Sequence, residues 1–92
     1  MRVLAYDRFR KSYQRLPRTI QRNVDKQLTF LSGNLRHPSL QVKPIQGTPG
    51  IWEARVDLHY RMTFEVMSDV IYLRVVGHHD DVAQDEPSDQ HE

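Results

Sequence analysis

The chain opens with Arg2-Val3-Leu4-Ala5, a short run of branched apolar side chains that suits a first strand. Apolar positions then recur at helical spacing. Tyr6, Phe9, Tyr13 and Leu16 make one stripe, and Arg8, Arg10, Lys11 and Arg15 cover the outer surface. Asp7 stands where an acid can cap that helix. Pro17 breaks the pattern, and a second stripe of Ile20, Val24, Leu28 and Leu31 runs to Gly33-Asn34, a pair suited to a left-handed helix stop. Two helices separated by so short a break predict an antiparallel hairpin. Arg36-His37-Pro38-Ser39 reads as a loop, because the residue before a proline is biased away from the helical region.

From residue 40 the period changes to two. Leu40, Val42 and Pro44 alternate with Gln41, Lys43 and Ile45, and Pro44 confines this stretch to an edge or an end. Gly47-Thr48-Pro49-Gly50 is a turn cluster, after which Trp52, Ala54 and Val56 line one side of a strand and Glu53, Arg55 and Asp57 the other. Leu58-His59 turns the chain into a strand where Tyr60, Met62, Phe64 and Val66 alternate with Arg61, Thr63 and Glu65. A second turn at Met67-Ser68-Asp69 leads into Val70 to Gly77, apolar enough for the centre of a sheet. The pattern predicts an α+β domain of order β-α-α-β-β-β, an antiparallel sheet with a two-helix hairpin packed on one face. Alternation then sends Glu53, Arg55, Arg61, Thr63, Glu65, Tyr72 and Arg74 to the open face, puts Trp52 in the core, and makes the three arginines converge.

Ninety-two residues suffice for one small core, so residues 1–80 are expected to form one domain. Residues 81–92 form an acidic tail whose default is disorder. The absence of cysteine excludes disulfides and thiolate metal sites and is compatible with a cytoplasmic location. No apolar run approaches the roughly 20 residues of a membrane-spanning helix, so no membrane partner is expected. Charge sharpens the picture. The formal net charge is +1, yet every Lys and Arg lies at or before Arg74, and half of the 12 acids fall after residue 79, which leaves residues 1–79 at +7. A body that basic attracts polyanions, and nucleic acid is the first partner to consider.

The basic helical hairpin is followed by Leu40-Gln-Val-Lys-Pro-Ile-Gln-Gly47, then Gly50-Ile-Trp-Glu-Ala-Arg-Val56, Tyr60-Arg-Met-Thr-Phe-Glu65 and Val75-Val-Gly-His-His-Asp80. In motif order and spacing, residues 1 to about 83 resemble the RelE/ParE superfamily of toxins from type II toxin-antitoxin systems. The resemblance implies a ribosome-dependent endoribonuclease that cuts mRNA by metal-independent attack of a 2′-hydroxyl on the adjacent phosphate. Such a step needs a base for the 2′-proton, cations for the charge developing on phosphorus, and an acid for the leaving 5′-oxygen. By family position Arg61 is the phosphate-stabilising arginine and Arg55 a second cation. His79, with His78 close behind, takes the place of the histidine that YoeB-like and YafQ-like members use as acid or base. Lys43, Arg55 and Arg74 are candidate RNA contacts.

Glu53 occupies a position where ribosome-dependent members carry lysine, and its carboxylate reads either as a general base or as a salt-bridge partner of Arg61 or Arg55. No aromatic residue follows Tyr72, where many members place one near Ala83. His37 and His59 sit in expected turns without a role. His78-His79-Asp80 is not expected to hold a metal, since adjacent histidines rarely chelate one ion and no further cluster completes the shell. No cofactor is expected. The implied partners are a cognate antitoxin, the ribosome and mRNA. The competing readings are a ParE-like inhibitor of DNA gyrase and a non-catalytic module that binds RNA or antitoxin.

Overall fold

In the computed structural model, residues 1–82 are described. Strand β1 (Arg2–Ala5) leads into α1 (Asp7–Gln14) and α2 (Arg18–Gly33), then a short 3-10 turn (Pro38–Leu40), β2 (Lys43–Pro44), β3 (Trp52–Arg55), β4 (Tyr60–Met67) and β5 (Val70–His78). The strands make one sheet in the order β1-β5-β4-β3-β2. Strands β2 to β5 are antiparallel, as expected, whereas β1 runs parallel to β5. The topology explains the mixed sheet: the helical hairpin carries the chain from one edge to the other, and three reversals bring it back beside β1 in β1's own direction.

Local chemistry sets the helix ends somewhat differently from expectation. Tyr6, not Asp7, occupies the N-cap of α1 and makes no side-chain cap. Asp7 lies instead in the first turn, where its charge complements the helix dipole, and it pairs with Arg10 at 3.3 Å in solvent. Pro17 precedes the first turn of α2, and its fixed φ suits the entry. Gly33 is still helical. The stop is Asn34, extended at φ −158°, whose side-chain oxygen accepts from the Arg36 amide at 3.0 Å and so replaces a left-handed glycine stop. Pro38 opens a 3-10 turn in place of a plain loop, because proline is tolerated at the first helical position.

The core lies between the helices and the sheet. Phe9, Val24, Leu31 and Leu40 pack against Ala54, Met62, Phe64, Ile71, Leu73 and Val76. Full burial of each large member is worth about 1.5–3 kcal/mol. Two expected placements fail. Trp52 shares the core face of the sheet but is 37% exposed, because it sits next to the two-residue edge strand β2 in a groove with Val42, Phe64 and Val66. Thr63, expected on the open face, is fully buried between Glu53 and Val75 in the register, and its hydroxyl has no hydrogen-bond partner among the described residues. Val82, which the expected boundary at residue 80 leaves outside the domain, is buried, and its side chain stands 3.6 Å from where a Cβ on Gly77 would lie. Among the described residues no helix is long and apolar enough to cross a membrane.

Candidate active site

The turn between β3 and β4 is built by Asp57. Its Oδ1 accepts from the amides of His59 and Tyr60, both at 2.9 Å, and Asn23 on α2 reaches its Oδ2 at 3.4 Å. A carboxylate that satisfies its own turn holds the following backbone in one conformation. The Arg61 guanidinium folds back onto that turn. Its Nη1 donates to the carbonyls of Asp57 at 2.6 Å, Tyr60 at 2.9 Å and Leu58 at 3.5 Å. These bonds fix one end of the planar fork, which lines the cleft described next.

A shallow cleft on this side of the sheet is lined by Lys43, Pro44, Ile45, Gln46, Glu53, Leu58, Arg61 and His79. Four of the expected site residues thus share one concavity. His79 reaches it because β5 ends at His78 and the chain turns helical over 79–82, which frees the pair from strict strand alternation. Asp80 Oδ1 lies 2.9 Å from His79 Nδ1, a contact that orients the imidazole and leaves Nε2 for other work. His78, its ring 4.5 Å from that of His79, does not line this cleft. It packs edge-on against Tyr60 at 5.9 Å and lines a second cleft with Arg8, Lys11 and Arg15 of the helical hairpin.

Glu53 forms its ion pair with Lys43, 3.3 Å away on the neighbouring strand, rather than with either arginine proposed from sequence. The pairing leaves Arg55 and Arg61 directly opposite each other across β3 and β4. Arg55 nevertheless does not line the cleft that Arg61 shares with His79. Arg74 does not join them. A bulge opposite Thr63 and Phe64 takes it out of register, and its guanidinium turns to Glu65 at 3.5 Å, where the Tyr6 hydroxyl also donates at 2.5 Å. That hydrogen bond, followed by burial, holds the Tyr6 phenol above its ordinary pKa.

Three contributors had no sequence signal. Gln27 is buried and its amide donates to the carbonyls of Arg55 at 2.9 Å and Ser39 at 3.2 Å, tying α2 to the strand that carries Arg55. Asp57 read only as the polar end of a strand. His59, set aside as a turn residue, stands beside His78 and His79, with a nitrogen of each ring within 4.8 Å of the others. The expectation that no further histidine completes a cluster is therefore corrected: the β3–β4 turn supplies it. The expected aromatic position at Ala83 and the expected acidic tail from residue 83 on lie outside the described residues.

No family model and no curated protein matches the sequence. Solved structures do match the fold. YafQ from E. coli strain BL21(DE3) superposes with a TM-score of 0.75 at 16% identity, over 89% of this chain and 98% of YafQ. The RelB-RelE antitoxin-toxin complex from Methanococcus jannaschii gives 0.68 at 23% identity, covering 88% of this chain and 95% of the matched one. A YoeB/ParE toxin from Agrobacterium tumefaciens gives 0.72 at 14% identity, over 86% and 99%. With nearly the whole length of each toxin matched, the five-stranded β-α-α-β-β-β-β chain described above has the fold of the RelE, YafQ and YoeB toxins.

Proposed function

We propose that the protein is the toxin of a type II toxin-antitoxin pair and cleaves mRNA on the ribosome, in the cytoplasm. The observation that carries this reading is the shared cleft: Arg61, held by three turn carbonyls, and His79, oriented by Asp80, lie in one concavity of a strongly basic body. The cleft suits a bent RNA phosphate. Arg61 stabilises the charge that builds on the phosphate oxygens as the 2′-oxygen attacks phosphorus. One group removes the 2′-proton and another delivers a proton to the leaving 5′-oxygen. The O2′–P bond forms, the P–O5′ bond breaks, and the products are a 2′,3′-cyclic phosphate and a 5′-hydroxyl.

His79 is the imidazole with access to this cleft, and imidazole is chemically suited to proton transfer near neutral pH. His78, one ring away, is the second candidate. Glu53 acts through its pairing with Lys43, and Lys43 together with the more distant Arg74 extends the cationic track for the RNA backbone. The apolar surface along β1 and the helices, lined by Leu4, Phe9, Tyr13 and Leu28, suits an antitoxin segment. The M. jannaschii RelE is seen with RelB, and the E. coli YafQ with DinJ.

A second reading, a module that binds RNA or antitoxin without cutting, is favoured by one observation: Glu53 engages Lys43 and so reduces the free positive charge of the cleft. Purified protein added to mRNA-programmed ribosomes separates the two. Cleavage leaving cyclic phosphate ends, reduced roughly 100-fold or more by Arg61→Ala and by His79→Gln, supports the nuclease. Tight RNA binding without cleavage would leave the binding module.

A further inference from the structure

We propose that His59, His78 and His79 form a site for one divalent transition-metal ion of the zinc class. The three side chains come from two pieces of backbone: His59 from the β3–β4 turn, and the adjacent His78 and His79 from the end of β5 and the first residue of the helical turn that follows, where the change of backbone conformation lets neighbouring rings come together. The His79 amide donates to the His59 carbonyl at 2.8 Å, which fastens the two segments together. Around that bond the rings gather. His59 and His78 lie nearly parallel at 7° with centroids 6.0 Å apart, His78 and His79 are separated by 4.5 Å, and one nitrogen from each ring lies within 4.8 Å of the other two.

Three imidazoles with no carboxylate among them are a donor set for zinc, cobalt or nickel and not for magnesium or calcium. At a Zn–N distance of about 2.0–2.1 Å, tetrahedral ligand nitrogens stand roughly 3.3 Å apart, so the rings need to close by at most about 1.5 Å. Side-chain rotation provides that, since His59 and His79 are exposed and His78 is only half buried. The outer shell is also present. Asp80 engages Nδ1 of His79 at 2.9 Å through its carboxylate, an arrangement that orients a metal-bound imidazole and leaves its Nε2 as the ligand atom, while the Asp80 amide donates to Nδ1 of His78 at 3.4 Å. Its negative charge offsets that of Arg61 and Lys43, which line the cleft His79 shares. Three protein ligands leave one position of a tetrahedral ion for water or an anion.

The site does not depend on the nuclease reading, because its test is binding. The full chain without an added histidine tag, stripped with chelator, is titrated calorimetrically with zinc chloride at pH 7.5, and cobalt binding is followed by visible absorption. One equivalent should bind with a dissociation constant in the micromolar range or below. His59→Gln and His78→Gln should each weaken binding by about tenfold or more, while His37→Gln leaves it unchanged. Thermal melts establish that the variants are folded. Absence of binding to the folded wild type, or an affinity that His59→Gln and His78→Gln leave intact, overturns the proposal.

Discussion

At the residue scale, the site depends on small polar side chains that hold the larger ones. Arg61 was legible in the sequence because a charged residue in mid-strand, flanked by Tyr60 and Met62, has to face out. Its orientation was not legible, because the carbonyls it grips belong to a turn shaped by Asp57. Asp57→Ala removes two backbone hydrogen bonds and should cost about 1 kcal/mol in urea unfolding while lowering cleavage through Arg61, a combination that a purely local turn defect does not give. Gln27→Ala strands two carbonyls at a buried position and should cost about 1–3 kcal/mol, read by the same melts. Tyr6 gives a pH signature. Its phenol holds its proton more tightly in the folded chain than its ordinary pKa of 10.0, chiefly through Glu65. The stability it contributes is complete below that value and is lost as pH rises through the higher folded value. The melting difference between wild type and Tyr6→Phe should therefore shrink above pH 10, and a difference that grows there would contradict the linkage. Tyr13 is raised in the same sense through Asp25, so the variant keeps part of the alkaline sensitivity.

The two periods in the sequence carried the elements, and tertiary context carried their ends. Both helices and strands β3, β4 and β5 follow from spacing of 3.6 and 2, because burying one face is what pays for ordering the backbone. The parallel pairing of β1 has no local signal, since Arg2–Ala5 looks the same in either direction. The bulge is equally silent, yet it decides that Arg74 turns to Glu65 and not to the paired arginines. Trp52 illustrates the limit of alternation: the face was right, but an edge strand leaves it half covered. Leu31, fully buried on α2, tests the packing at this scale. Leu31→Ala should cost about 2–5 kcal/mol, and a loss under 1 kcal/mol would mean that the hairpin does not sit on the sheet as described.

Across the whole molecule, charge and fold converge. Residues 1–79 carry +7, and the cleft that gathers Arg61 and His79 opens on that basic body. The motifs sufficed to suggest the toxin fold, which YafQ, RelE and YoeB then matched over nearly their full lengths. The convergence of histidines did not show in the sequence, because His59 lies nearly 20 positions before its neighbours and it is the antiparallel pairing of β4 with β5, with Tyr60 opposite His78, that brings them together. RNA affinity should fall steeply with salt, with a log–log slope that flattens by roughly one when Lys43 is replaced by Ala. The most direct test of the central claim is induced expression of the wild type beside Arg61→Ala, with mRNA 5′ ends mapped in the arrested cells. Growth arrest with in-frame cuts that disappear in the variant is the expected result. Arrest with intact messages would contradict the nuclease and point to gyrase, and the absence of arrest would leave a binding module.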